Sequence, residues 1–321
     1  MALEGGYLES ILNTVVMESK RSSVFELVGI GLVLLIGLFL TFKNGNFKND
    51  TSQNTDVFKV SLEQHTDASK IPGINAESYL LAVYDGNNLH TLKTFNAETP
   101  RRIASVTKLM TAIVAEEALP KTYILTLNKE ALLTFGSSHF YSAGEQLGIN
   151  DALNSLLVES NNDIARAFAT SLPQGNFLQK MNEEAQRLGM KDTVYRNTSG
   201  LDGSSTSTTN FSTASDLSLL LRTYVDDHRA LLTRTAQKEI TIHFANGSVS
   251  HLATSTDHLL TDSTFPYTVL GGKTGETALA KKNLAIVATD PNEPLVYIGV
   301  VLYSDDHFSD MKKLFATLTT N

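Results

Sequence analysis

The stretch Val269-Leu-Gly-Gly-Lys-Thr-Gly-Glu-Thr277 contains a Lys-Thr-Gly tripeptide at 273–275, and it decides how the rest of the chain is interpreted. Two companion motifs precede it, Ser-Val-Thr-Lys at 105–108 and Ser-Asn-Asn at 160–162. Each motif is weak by itself, because residues 309–312 also fit the first pattern and residues 52–54 the second. Neither additional match has the other motifs in the same order. The order along the chain therefore carries the specificity.

The first motif pairs a hydroxyl with an amine. Ser105 and Lys108 lie three residues apart where apolar residues recur at helical spacing, so their side chains share one face. Lys108 can take the serine proton only if its pKa falls well below the usual value of about 10.4. Burial and a neighbouring cation would cause that fall, and Lys273 is the candidate cation. We predict that Ser105 is the nucleophile and Lys108 its base.

The second motif lies on a predicted loop between two short helices. Ser160 and Asn162 are two residues apart there, so both side chains can point into a cleft. A hydroxyl can pass a proton to a leaving amine, and an amide can bind a backbone-like group of a substrate. Capping of the following helix is the alternative role for Asn162.

The third motif lies on a predicted strand. Lys273 and Thr274 offer a cation and a hydroxyl to a substrate carboxylate, and Gly275 allows an extended peptide to approach the strand backbone. We expect the backbone N–H groups of Ser105 and Glu276 to form an oxyanion hole.

On these motifs the chain resembles the low-molecular-mass penicillin-binding proteins, the D-alanyl-D-alanine carboxypeptidase family of serine peptidases. The resemblance extends from about residue 76 to residue 306, and further blocks at 104–111, 157–163, 181–190 and 197–201 are similar to the family. It implies a β-lactamase/DD-peptidase-like fold, in which an antiparallel sheet is flanked by helices and joined to a mostly helical subdomain. The active serine is expected at the junction of the two.

The resemblance also implies a reaction. A peptidoglycan stem peptide ending in D-Ala-D-Ala would acylate Ser105, and the terminal D-alanine would be released. Water would then hydrolyse the acyl-enzyme. The reaction would serve cell-wall synthesis and remodelling. β-Lactam antibiotics would acylate the same serine, and no cofactor is implied. Relatives more often have a small residue at position 161, so Asn161 is expected to narrow the cleft.

Element order agrees with an α+β class. A strand hairpin is predicted over Tyr79–Tyr84 and Leu89–Leu92, and a closing helix over 308–318. Between them, helices are predicted from Val106 to before Pro120 and over 151–158, 163–172, 177–188 and 213–225, and strands over 240–245, 267–274, 283–289 and 295–303. This order lacks the regular strand–helix alternation of a parallel α/β sheet.

An apolar segment precedes the predicted domain. Residues 24–42 contain no charged residue apart from Glu26 and are otherwise apolar except for Thr41, and 19 residues suffice for about one bilayer crossing. We predict a cytoplasmic tail over 1–23, a transmembrane anchor over 24–42, a flexible linker over 43–75 and a catalytic domain over 76–321. Lysines and arginines flank both ends of the segment and do not set its orientation. Since peptidoglycan lies outside the cell membrane, we expect a single-pass protein with an extracytoplasmic catalytic domain.

Composition excludes several functions. The formal net charge is −8 and no basic stripe is evident, which argues against a nucleic-acid partner. The absence of cysteine excludes a thiol nucleophile and thiolate metal sites. The eight histidines show no metal-ligand spacing, so no metal is expected.

Three alternatives remain to be weighed. A D,D-endopeptidase that cuts peptidoglycan cross-links would use identical residues. A class A β-lactamase would need a deacylating glutamate between the second and third motifs, and no stretch similar to Glu-x-Glu-Leu-Asn occurs there. A non-catalytic penicillin-sensing or wall-binding module would not need a nucleophile together with its base.

Overall fold

Antiparallel strands form the central sheet of the part of the chain that the computed structural model describes, residues 69–132, 136, 138–173, 176–203, 205–292 and 295–318. The strands in chain order are β1 Ser78–Tyr84, β2 Leu89–Phe95, β3 Arg101–Arg102, β4 Ile124–Thr126, β5 Gln146–Gly148, β6 Phe211–Ser212, β7 Glu239–His243, β8 Val249–Thr254, β9 Thr268–Thr277, β10 Lys281–Thr289 and β11 Val296–Ser304. The central sheet has the order β2-β1-β11-β10-β9, and three two-stranded ladders join β3 to β6, β4 to β5 and β7 to β8.

Helices cover this sheet and build a second, mostly helical region. They are α1 Thr107–Ala118, α2 Lys129–Leu132, α3 Ile149–Leu157, α4 Asn162–Ala169, α5 Asn176–Arg187, α6 Ala214–Asp226, α7 Arg229–Thr235 and α8 His307–Ala316. Short 3-10 turns lie at Ala104–Val106, Thr206–Thr208 and His258–Leu260.

The sheet is covered on both faces. Successive side chains of a strand point to opposite sides. On β11, Ile298 and Val300 belong to the large core, to which α6 also contributes. Gly299 between them faces α8, since a Cβ there would lie 2.7 Å from both Met311 and Phe315. The missing side chain allows α8 to pack closely against β11.

Helix α1 passes through the middle of the protein. All of its residues from Thr107 to Ala115 are buried, and it contacts α3, α4 and α5 as well as the nearby 3-10 turn. The helix ends at Ala118 because Leu119 is extended, as expected for a residue before proline. This placement buries Lys108 together with the apolar residues of its helix.

The α+β prediction and the antiparallel sheet between helices are confirmed. The six strands that were predicted and the closing helix are present, with bounds within a few residues of the predicted ones. The sequence-based prediction missed α2, α7, β8 and the β3–β6 and β4–β5 ladders. In β8 only Ala253 is fully buried while Val249 and Leu252 are exposed, so this strand has no apolar face that a pattern could reveal.

The predicted anchor falls outside the described residues, as do the predicted tail and the linker as far as Ala68. Within the ranges that are described, no helix combines the length and the apolar character that a bilayer crossing requires.

Candidate active site

Lys108 lies at the centre of the site. Its Nζ is 2.7 Å from the Ser105 Oγ, 2.8 Å from the Asn162 Oδ1 and 2.9 Å from the Ser199 carbonyl oxygen. An ammonium group has three N–H donors, and these three oxygens accept them. In the neutral amine, two N–H groups can remain on Asn162 and Ser199 while the lone pair accepts the hydroxyl proton of Ser105. The geometry therefore suits both protonation states.

Burial makes the neutral state of Lys108 accessible. The side chain is completely buried, and this burial lowers its pKa well below the usual lysine value. The positive charges of Lys273 and, to a smaller extent, Arg166 lower the pKa further. The predicted neighbouring cation thus acts on Lys108 in the predicted direction.

The backbone around Ser105 is strained and closely packed. Ala104 has φ of +46°, a conformation that costs a non-glycine residue about 1–2 kcal/mol. Gly200 packs against it so closely that a Cβ would lie 1.8 Å from the Ala104 carbonyl oxygen. On the other side, a Cβ at Gly275 would lie 2.7 Å from the Ile103 carbonyl oxygen and 2.9 Å from the Ser105 nitrogen. Two glycines therefore pack closely against the turn that carries Ser105.

The segment that supplies the Ser199 carbonyl is fixed to α1. Thr111 donates a hydrogen bond of 2.8 Å to the Thr198 carbonyl, and Asn210 donates 2.9 Å bonds to the Thr107 hydroxyl and the Asn197 carbonyl. Sequence reasoning noted block 197–201 without giving it a role. The block supplies a backbone acceptor, which no side-chain pattern reveals.

In the second motif, Asn161 and Asn162 make different contacts. Asn161 is the cap of α4, because its Oδ1 accepts from the backbone N–H groups of Asp163 and Ile164. Its buried amide also donates to Ser138 and Glu159 at 3.0 Å. The capping role considered for Asn162 thus belongs to Asn161. That Asn161 narrows the cleft stays a prediction.

Asn162 is thereby left to bridge two parts of the site. Its Oδ1 accepts from Lys108, and its Nδ2 donates to the Gly136 carbonyl at 2.9 Å. Ser160 is half-buried and has φ of +63°. Within the described residues no hydrogen bond joins the Ser160 hydroxyl to either Lys108 or Lys273.

The third motif lies on β9, at the edge of the central sheet. Thr274 pairs with Leu284 and Gly275 with Asn283 of β10. The Nζ of Lys273 contacts the Thr274 carbonyl at 3.1 Å and the Thr256 hydroxyl at 3.4 Å, and the two threonine hydroxyls are 2.5 Å apart. Thr256 is a site residue that sequence reasoning missed, since a lone threonine outside the motifs carries no signal.

The third motif contains a buried lysine, Lys273, and a buried carboxyl group, that of Asp257, influences its pKa. Burial lowers the pKa of Lys273 to about 7, against the opposing influence of the Asp257 carboxylate. Burial likewise raises the pKa of Asp257, one of whose oxygens has no hydrogen-bond partner among the described residues. Lys273 therefore changes between its charged and its neutral form near neutral pH.

The remaining predicted site residue, Glu276, pairs with Lys282 at the end of β9, and its side chain is exposed. Gly275 packs closely against Ser105, so the backbone of the third motif lies beside this serine, as the predicted oxyanion hole would require. In the part of the chain with described coordinates, no group of three or more His, Asp or Glu side chains is arranged to hold a metal ion.

Comparison with known proteins places this arrangement in a family. Residues 64–305 match the family model described as D-alanyl-D-alanine carboxypeptidase. The chain belongs to the D-alanyl-D-alanine carboxypeptidase family. It is similar to D-alanyl-D-alanine carboxypeptidase DacC of Escherichia coli, with 29% identity over 257 residues that make up 76% of this chain. The chain spans only 61% of the length of that relative.

Two further relatives of the carboxypeptidase family are informative. A D-alanyl-D-alanine endopeptidase of Pseudomonas aeruginosa is 31% identical over 244 residues, which cover 74% of this chain and 76% of the relative. The structure of penicillin-binding protein D2 from Listeria monocytogenes in its ampicillin-bound form superimposes with a TM-score of 0.65. It is 26% identical, and the match covers 77% of this chain and 98% of that one.

Proposed function

We propose that this chain is a membrane-anchored, serine-type D-alanyl-D-alanine carboxypeptidase that removes the terminal D-alanine from peptidoglycan stem pentapeptides. The observation that carries the proposal is the 2.7 Å contact between the Nζ of the fully buried Lys108 and the Oγ of Ser105. A nucleophile with its base already in hydrogen-bond range is what acyl transfer requires.

The first half of the reaction acylates the enzyme. The Ser105 Oγ bonds to the carbonyl carbon of the penultimate D-alanine, and its proton passes to neutral Lys108. The C–N bond then breaks, and the proton that Lys108 took from Ser105 passes through the Ser160 hydroxyl to the departing D-alanine amine, which leaves Lys108 neutral again. Lys273 and Thr274 bind the terminal carboxylate of the substrate. Asn162 holds Lys108 through its Oδ1, and the Nδ2 N–H that does not bond Gly136 can donate to a carbonyl oxygen of the substrate backbone.

The second half releases the product. A water molecule attacks the Ser105 ester and gives a proton to Lys108, which restores the serine hydroxyl when the C–O bond breaks. A penicillin would acylate Ser105 by the same attack, but its amine stays tethered after the β-lactam ring opens. The ampicillin-bound relative supports this part of the proposal.

The test is release of D-alanine from a synthetic muramyl pentapeptide. Wild-type protein should release one D-alanine per peptide, and Ser105→Ala should release none. Failure of the wild-type protein to release D-alanine would overturn the carboxypeptidase proposal.

The Pseudomonas relative supports one second candidate, a D,D-endopeptidase on peptidoglycan cross-links. A purified cross-linked muropeptide dimer, supplied beside the pentapeptide, separates the two activities. Cleavage of the dimer without release of D-alanine from the pentapeptide would favour the endopeptidase. Penicillin binding without turnover of either substrate would favour a sensing module.

The proposal places residues 24–42 in the cell membrane and the domain from residue 76 outside it, with 43–75 as the tether. The apolar character of 24–42 supports it. Replacing Leu34 and Leu35 by aspartate should move the full chain from carbonate-washed membranes to the soluble fraction, because each central aspartate costs roughly 2.5–3.5 kcal/mol. The same positions changed to alanine are the matched control. Membrane retention of the aspartate variant would contradict the anchor.

A further inference from the structure

The Glu159 carboxylate joins three parts of the molecule immediately before the second motif. Its Oε1 accepts from the Ser155 hydroxyl of α3 at 2.6 Å and from the Asn161 amide at 3.0 Å. Both oxygens also lie against the His251 Nε2 of β8, at 3.0 and 2.9 Å. The side chains of Glu159 and His251 are each only 11% exposed, so this pair is largely shielded from water.

Ser160 lies between two residues that this cluster fixes. Its φ of +63° is a left-handed conformation that a non-glycine residue adopts at a cost of about 1–2 kcal/mol. Such a conformation persists only where the surroundings determine it. Glu159 on one side and Asn161 on the other are hydrogen-bonded to each other, and they close a small ring of contacts around Ser160.

His251 is itself held in place. Its Nδ1 is 3.0 Å from the Ser250 hydroxyl, its ring stacks on Phe140 with centroids 4.1 Å apart, and Tyr141 meets it edge-on at 5.6 Å. The Tyr141 hydroxyl in turn lies 3.0 Å from the Ser155 hydroxyl. The imidazole therefore has a fixed position and orientation.

The pair connects the second motif to the third. A few residues after β8, the backbone N–H of Thr256 donates to the Val158 carbonyl at 3.3 Å. The Thr256 hydroxyl contacts both Thr274 and Lys273. The chain segment from His251 to Thr256 thus contacts the residues just before Ser160 at two points and the Lys-Thr-Gly strand at a third.

We propose that Glu159 and His251 are a positioning pair that sets the Ser160 loop against the strand bearing Lys273 and Thr274. Neither residue touches the reacting atoms, and the proposal rests on the proposed acyl-transfer function of the site. The pair acts by keeping the Ser160 hydroxyl at a fixed distance from Ser105 and the substrate carboxylate. Misplacement of a catalytic group by about 1 Å can cost 100-fold in rate.

The test compares variants by the second-order rate of acylation with a labelled penicillin. Glu159→Ala and His251→Ala should each lower this rate by about 10- to 100-fold. Glu159→Gln keeps the shape and can keep the hydrogen bonds to Ser155 and Asn161, so it should recover most of the rate. The double variant should be no slower than the worse single variant, because the two residues act as a unit.

A matched control is available in His228, whose Nδ1 lies 2.7 Å from a Glu116 oxygen far along α1 from Lys108. His228→Ala should lower the melting temperature while the acylation rate stays at the wild-type value. The positioning proposal is wrong if His228→Ala lowers the acylation rate as much as Glu159→Ala does and if the loss of rate in both variants follows the loss of melting temperature. General destabilisation would then explain the effect.

Amide hydrogen exchange separates this proposal from the proposed function. In Glu159→Ala the Asn161 N–H, which bonds the Ser155 carbonyl at 3.2 Å, should exchange faster while the central sheet exchanges as in the wild type. This result holds even if the wild-type protein does not react with penicillin. Unchanged exchange over 158–163 would overturn the positioning role whatever the enzyme proves to do.

Discussion

At the scale of single residues, the site depends on two lysines that burial keeps from behaving as ordinary surface lysines. Lys108 has three oxygen neighbours and is completely buried, so it can lose its proton at a lower pH than a solvated lysine. Lys273 has the opposite task in the proposed reaction, since it must remain charged to bind a carboxylate. The proposed reaction therefore needs Lys108 as the neutral amine and Lys273 as the cation.

This difference predicts a pH profile. Because the pKa of Lys273 is about 7, its ammonium form is lost as the pH rises through about 7. The value of kcat/KM for a carboxylate-bearing peptide should therefore fall above about pH 7. In Lys273→Arg the cation persists at all accessible pH values, so the alkaline fall should move to higher pH even if the maximal rate is lower. An unchanged alkaline limb in Lys273→Arg, measured from pH 5 to 10, would contradict this role.

Residue identity alone predicted part of this site. Ser105 and Lys108 are neighbours on one turn, so their contact is local and could be inferred from spacing. The roles of Asn161 and Asn162 could not be separated, because a shift of one residue in the helix start exchanges the cap and the site residue. Ser199 and Thr256 were missed since one acts through its backbone and the other through a common hydroxyl.

At the scale of elements, the site exists because β9 lies directly against the 3-10 turn 104–106. Gly275 permits this contact. In Gly275→Ala the new Cβ would meet backbone atoms of Ile103 and Ser105 at 2.7 and 2.9 Å, so the strand and the turn must separate. This close approach places the third motif directly beside the turn that carries Ser105.

We expect Gly275→Ala to lower the free energy of unfolding by about 1–3 kcal/mol and to slow acylation of Ser105 as well. Urea unfolding and the penicillin acylation rate measure the two effects. Gly148→Ala is the control, because Gly148 has φ of −65° and a Cβ there has nothing within 4 Å. If Gly275→Ala is as harmless as Gly148→Ala, the packing of β9 on the turn does not matter.

Helix α8 contains a buried histidine whose protonation we expect to destabilise the fold in acid. His307 packs on Phe308 with ring centroids 4.0 Å apart, and neither of its ring nitrogens has a hydrogen-bond partner within the described ranges. Burial, followed by the charge of Lys282, lowers the pKa of His307 from 6.5 to about 4. The neutral imidazole is the form that the folded protein accommodates.

The sign of the resulting pH effect follows from proton binding. Between pH 6.5 and about 4 the unfolded chain binds a proton at His307 that the folded chain does not, so the free energy of unfolding falls as the pH falls. The full contribution is about 3 kcal/mol. Urea unfolding of His307→Leu should show a smaller loss of stability between pH 7 and 4 than the wild type. Equal losses in the two proteins would show that His307 does not contribute.

At the scale of the whole molecule, segments far apart in sequence meet around one serine. Turn 104–106 and α1 bring Ser105 and Lys108, the start of α4 brings Asn162, block 197–201 brings a carbonyl, and β9 brings Lys273. The order of the motifs and the antiparallel sheet could be predicted from the sequence, because each rests on local pattern or on family resemblance. The supporting contacts of β8 could not, since its exposed apolar residues do not distinguish a strand from a loop.

Peptide mapping after reaction with a labelled penicillin tests this convergence most directly. Intact-mass analysis should find one penicilloyl group per chain, and proteolytic peptides should place it on Ser105. Lys108→Met should remove the base and slow the reaction by about 100-fold or more, since general base catalysis contributes typically 10²- to 10⁴-fold. No adduct on the wild-type chain, or an adduct on Ser160 in place of Ser105, would contradict the account.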